Sequence, residues 1–157
     1  MSRSKVSIVN VKEQDTFGAL ERAIELIDGL DEAIPNGAKV LVKPNLVMAP
    51  TEKNLTDPAV TEAVLRLVAD TRPSQITIGE GSADSYTSSA FRINNIYDMA
   101  TRYGARVVDL NTDEGIRTEV SPETGREYVM LPRTAAEADV VVSVPTFKLW
   151  MDDLPMS

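Results

Sequence analysis

Apolar positions along the chain switch repeatedly between a two-residue and a 3.6-residue spacing. Residues 5–11 set Val6, Ile8 and Val9 in a short alternating run, which predicts a strand. Asp15 stands where a helix N-cap belongs, ahead of Phe17, Leu20, Ile24 and Ile27 at helical intervals, with Ala23 and Leu30 widening the stripe. Pro35-Asn36-Gly37 marks a turn, and residues 39–43 form a second apolar run stopped by Pro44. A loop of mixed character covers 45–56. Asp57-Pro58 then opens a helix, because Asp57 can accept free backbone donors and proline suits the first turn. Val60, Val64, Leu67 and Val68 make its buried stripe.

Residues 75–78 read as a third strand, ending at Gly79-Glu80-Gly81-Ser82. Ser88 or Ser89 would cap one further helix, with Ile93, Ile96, Tyr97 and Ala100 on its inner face and Gly104 as its stop. Residues 106–110 form a fourth strand. Residues 116–120 and 127–131 flank Ser121-Pro122-Glu123-Thr124-Gly125 as a hairpin. A short helical piece at 135–137 leads into 140–145, the most apolar strand, whose lack of a polar face predicts a central place in the sheet. Strands alternating with helices in this way predict an α/β fold: a mainly parallel sheet flanked by helices, with a β-hairpin insertion.

Length and composition fit one domain over 1–157, since 43% hydrophobic residues suffice for one core. The end of the chain is less orderly. Phe147, Leu149, Trp150 and Met151 prolong the apolar run past Pro145 without a stop. Either they pack on their own domain, or the domain is truncated at its C-terminus and this segment is an exposed patch favouring a homo-oligomer. No stretch approaches a membrane span, and no secretory leader precedes Val6, so a cytoplasmic location is expected. The 16 basic residues are outnumbered by 24 acidic ones, giving a formal charge of -8, which argues against nucleic acid or an anionic membrane as partner.

The chain has neither cysteine nor histidine. Thiolate chemistry, imidazole bases and Cys/His zinc sites are thereby excluded. A metal would need oxygen ligands, which suits magnesium. In open α/β sheets, ligands bind beyond the carboxyl ends of the strands. There Lys43 and Lys148 can anchor an anion as point charges, or stand as solvated lysines. Asn45 can orient a ligand through its amide or cap its own loop. Gly79, Gly81 and Ser82 make either a weak glycine-rich anion turn or a plain strand-to-loop turn. Glu80 is the best carboxylate candidate for a general base or a hard-metal ligand, with Lys43 as its catalytic companion. Asp109, Asp113 and Glu114 can supply an oxygen-only metal site or stand as solvated turn acids, and their spacing, which lacks the EF-hand pattern, favours the second, with Arg117, Arg126 and Arg133 near enough to pair with acids of the hairpin.

Val42-Lys43-Pro44-Asn45-Leu46-Val47, Thr56-Asp57-Pro58-Ala59-Val60, Thr77-Ile78-Gly79-Glu80-Gly81, Val108-Asp109-Leu110 and Ala138 to Lys148 follow one another in an order that resembles the DUF362 family. The resemblance runs from about residue 39 to 148. It implies an α/β domain and a longer whole protein. Many members carry a ferredoxin-like iron–sulfur segment, which a chain without cysteine cannot supply. Two readings of function follow. One is an α/β domain, enzymatic or not, that binds a small anionic ligand or cofactor at the strand edge. The other is a non-catalytic maturation or redox-partner module acting through protein contact.

Overall fold

The computed structural model describes residues 4–11, 15–46, 55–83, 86–150 and 154–156, with residues 148–150 and 154–156 described by backbone alone. Helix α1 spans Thr16–Glu25, strand β1 Lys39–Pro44, α2 Pro58–Asp70 and β2 Gln75–Glu80. Helices α3 (Thr87–Ile93) and α4 (Ile96–Tyr103) lead to β3, Arg106–Asp109. Strands β4 (Gly115–Glu119) and β5 (Tyr128–Pro132) flank a 3₁₀ turn at Pro122–Thr124. Helix α5 (Arg133–Ala136) precedes β6 (Val140–Val144), and β7 (Lys148–Trp150) and β8 (Leu154–Met156) follow. The fold is α/β.

The main sheet is four-stranded, in the order β3-β2-β1-β6, and every pairing in it is parallel. Two antiparallel pairs stand apart from it, β4 with β5 and β7 with β8. The expected hairpin is therefore present, in register from Gly115↔Pro132 to Glu119↔Tyr128. Parallel strands need crossovers, and α2 supplies the one between β1 and β2. Its start follows from the local sequence: the Asp57 carboxylate accepts the Ala59 amide at 2.8 Å, and Pro58 sits in the first turn. Asp15 caps α1 in the same manner, accepting from the Gly18 amide at 2.8 Å.

One face of the sheet carries the core. Val40 and Val42 of β1, Ile76 and Ile78 of β2, and Val144 of β6 lie beneath Val64, Leu65 and Val68 of α2. Phe91, Ile96 and Met99 of α3 and α4 complete the cluster. Each such side chain contributes roughly 1.5–3 kcal/mol by leaving water. Helix α1 joins the same layer, with Leu20 and Ile24 near Val64, Val68 and Val142 around a small apolar cavity. The opposite face carries Leu41, Thr77, Val108 and Val141, as the register requires. There Asp113, Arg133 and Thr134 enclose a polar cavity of about 270 Å³ over the starts of β1, β2 and β3.

Three expectations change. Residues 5–11 form no strand: Val6 and Ile8 are 83% and 92% exposed, because the segment lies against α1 instead of a strand. The helix expected between Ser88 and Gly104 is two helices, broken where Asn95 adopts a left-handed backbone at φ 56°. Asparagine tolerates that conformation better than most residues. The break turns Ile93 and Tyr97 outward while Ile96 and Ala100 stay buried, and Tyr86 takes the N-cap position in place of either serine. Strand β6 is an edge strand, although it is the most apolar, and Val141 on its open face is 50% exposed.

Candidate functional site

The carboxyl ends of β1 and β2 lie side by side and carry Lys43 and Glu80. The Glu80 residue is only 4% exposed. Its two carboxylate oxygens have assigned donors: one accepts the Gly81 amide at 2.7 Å, the other the Leu46 amide at 3.1 Å. The Lys43 ammonium sits 3.1 Å from the nearer oxygen. A buried carboxylate is tolerated only when paired and hydrogen-bonded, and this one is both. The lysine differs: 42% of its side chain is exposed, against 6% for that of Glu80.

The chain around the pair is braced by hydroxyl and amide groups. The Ser82 hydroxyl donates to the Leu46 carbonyl at 2.6 Å, holding the segment after β1 over the end of β2. The Asn111 side-chain amide donates to the Ser82 carbonyl at 2.9 Å. Thr56 accepts the Asn45 backbone amide at 2.8 Å and donates to the Val144 carbonyl, joining the loop before α2 to β6. Thr146 donates to the Leu55 carbonyl at 2.7 Å. Thr56 was no candidate on sequence grounds; its position next to a helix N-cap was the available signal, and its bonding partners lie far along the chain.

The two glycines are placed by packing more than by turn geometry. Gly79 lies within β2, where a Cβ would come within 2.8 Å of the Leu41 side chain and 3.1 Å of that of Leu110. Gly81 faces the Asn111 side chain, which a Cβ would meet at 2.5 Å. Their missing side chains let neighbours close over the strand end. Lys43, Glu80, Gly81 and Ser82 are thus brought together, and Asn45 follows directly on β1. Lys148 opens β7, and its side chain is outside the described residues.

The acids after β3 serve local structure. Asp113 accepts the Thr134 amide at 2.7 Å, which holds its carboxyl below the usual carboxylate range. Glu114 makes a two-pronged pair with Arg133 and is held low by it, while Arg133 is raised in turn. Arg133 also reaches Glu137 at 2.7 Å, and Arg117 stacks over the Tyr128 ring. Among the described residues no group of three or more acids converges as a metal site.

This edge geometry sits within a stretch that a known family covers. The model for DUF362, a domain of unknown function, matches residues 40–150. The chain belongs to the DUF362 family. The match takes in β1 through β7, and so includes every candidate site residue from Lys43 to Lys148 in the DUF362 domain. No curated protein and no solved structure matches the chain. Among the described residues, no helix of this DUF362 protein is long and apolar enough to cross a membrane.

Proposed function

We propose that the carboxyl edge of the sheet binds a small anionic ligand, a phosphorylated or carboxylated molecule, with Lys43 as its principal anchor. The observation that carries this reading is Lys43, whose side chain is 42% exposed, with its ammonium fixed beside a buried Glu80. Glu80 accepts two backbone amides and so has little freedom to move, which sets where the lysine charge stands. A cation held in place loses less entropy on meeting an anion than a free one. Asn45, Gly81 and Ser82 border the same edge and fix the backbone beside the lysine through their internal hydrogen bonds. Lys148, which follows β6 in the chain, is the second anchor. Lys43 and Glu80 are also the pair able to exchange a proton with a bound molecule, should the ligand be a substrate.

The test is a thermal-shift screen with inorganic phosphate, pyrophosphate and small di- and tricarboxylates. The expected result is a saturable rise in Tm with at least one of them, lost in Lys43→Met and partly kept in Lys43→Arg. Silence across the panel, or an unchanged shift in Lys43→Met, overturns the reading. A second reading has one observation in its favour: Phe147, beside the edge, is 76% exposed. A protein-contact module would lose its partner on Phe147→Ser and ignore Lys43→Met.

A further inference from the structure

The polar cavity over the starts of β1, β2 and β3 lies at the other end of the sheet from Lys43. Lys39, Gln75, Thr77 and Arg106 line its floor, all on the face opposite the core. Its wall is the segment around Arg133, and the charges there are already matched. Asp113 accepts the Glu114 amide at 3.0 Å and the Thr134 amide at 2.7 Å. Arg133 bonds Glu114 and Glu137 through all three of its guanidinium nitrogens. The floor differs, because Lys39 and Arg106 have no carboxylate partner among the described residues. A short relay also fixes its polarity. Arg106 donates to the Gln75 side-chain oxygen at 3.4 Å, and the Gln75 amide nitrogen donates to the Thr77 hydroxyl at 3.1 Å. Thr77 is only 2% exposed. Its oxygen accepts, so its own proton is left without an acceptor among the described residues. Native proteins leave few buried donors in that state, because each one is costly.

The cavity volume, about 270 Å³, is several times the roughly 30 Å³ that one water occupies in the liquid, and close to the smallest ligand pockets. An unpaired guanidinium matches a carboxylate with two parallel hydrogen bonds, and a lysine adds a point charge. A buried hydroxyl proton suits a carboxylate oxygen. The wall limits the charge of the guest, since a dianion would face Asp113 and Glu137. Leu41 and Ala138 offer apolar surface to a short carbon chain. We infer that this cavity binds a small monocarboxylate, with its charge between Arg106 and Lys39 and one oxygen on the Thr77 hydroxyl. From Lys39 to Lys43 the strand rises about 13 Å, so this is a second site, independent of the ligand proposed for the carboxyl edge.

The test titrates the isotope-labelled full chain with sodium acetate, sodium butyrate and sodium phosphate, at ionic strength held constant with chloride, and follows backbone amide NMR shifts. The expected result is a saturable shift centred on Lys39, Gln75, Thr77 and Arg106 with at least one of the two carboxylates, and weaker binding of phosphate there. Arg106→Met should abolish it. Thr77→Val keeps the shape and removes the hydroxyl, and should weaken binding about tenfold or more. Arg92→Met removes an exposed arginine of α3 and should leave the affinity as it is. The two site variants remove different partners, so loss of fold in one leaves the other to decide. Absence of a saturable shift at these residues, shifts confined to the Lys43–Ser82 edge, phosphate binding here as tightly as the carboxylates, or equal affinity in Thr77→Val, Arg106→Met and the parent protein overturns the inference. An equal loss in Arg92→Met overturns it as well, because net charge alone would then account for the binding. Shifts at the Lys43 edge are read separately, so either site can fail without the other.

Discussion

Replacing Glu80 separates a structural clip from a free catalytic acid. In Glu80→Ala the Leu46 amide, on a residue 1% exposed, loses its acceptor with no room for easy hydration. An orphaned buried donor costs about 1–3 kcal/mol. The Gly81 amide is only partly buried, so water can replace its lost acceptor, at about 1 kcal/mol. Lys43, whose side chain is already 42% exposed, can turn its ammonium to solvent once Glu80 is gone, so the broken ion pair adds at most about 1 kcal/mol. The total is about 2–5 kcal/mol, a large share of the 5–15 kcal/mol that holds a typical domain. Glu80→Gln keeps one carbonyl oxygen and should cost about half as much, whereas Lys43→Met strips the cation from a buried carboxylate that keeps its two amide donors and should itself cost about 1–3 kcal/mol. Urea unfolding followed by circular dichroism gives the comparison, with the midpoint falling by roughly 1–3 M in Glu80→Ala at constant m. The reasoning fails if Glu80→Ala costs less than about 1 kcal/mol, or if Glu80→Gln is as damaging as Glu80→Ala.

Gly79→Ala should destabilise by about 1–3 kcal/mol, because the added methyl meets Leu41 and Leu110 inside the packed sheet; a urea midpoint equal to that of the parent protein would show that both leucines can yield. Asp113 gives a prediction about pH. Its carboxyl is lowered, chiefly by the Thr134 amide, so the stability it contributes is present above the ordinary carboxylate value and is lost as pH falls through the lowered folded value. Asp113→Asn should therefore flatten part of the acid-side loss of stability, measured as urea midpoint against pH below about 4. A slope identical to that of the parent protein would remove Asp113 from the account.

Strand β1 was legible because a parallel strand covered on both faces reads as an unbroken apolar run, as Val40 to Val42 does, and β2 because Gln75 to Ile78 alternates with period two. Helix starts were legible wherever the cap is local, at Asp15 and Asp57. The failures share a cause. The order of strands is a long-range property, so the apolar composition of β6 suggested the centre of the sheet, while its pairing with β1 puts it at the rim. The break between α3 and α4 rests on one left-handed backbone at Asn95, which a periodicity reading passes over. At the site, Lys43 and Glu80 could be nominated from the strand ends. The clip itself could not, because it needs Leu46 folded back over a residue 34 positions later.

The lateness of β6 has a consequence for how the chain is made. Strand β1 acquires its second neighbour only through residues 140–144, and the Lys39 amide waits for the Asp139 carboxylate, 100 positions downstream. During synthesis β1, α2, β2, α4 and β3 can assemble in chain order from contacts between successive elements. One side of β1 then stays bare until β6 leaves the ribosome, which at about 5–20 residues per second is a wait of several seconds. For that interval Val40 and Val42 border an open parallel edge, the kind of surface on which nascent chains are captured by one another. Slowing translation between residues 110 and 140 should lengthen the exposure and lower the soluble yield, without altering a single contact of the finished protein.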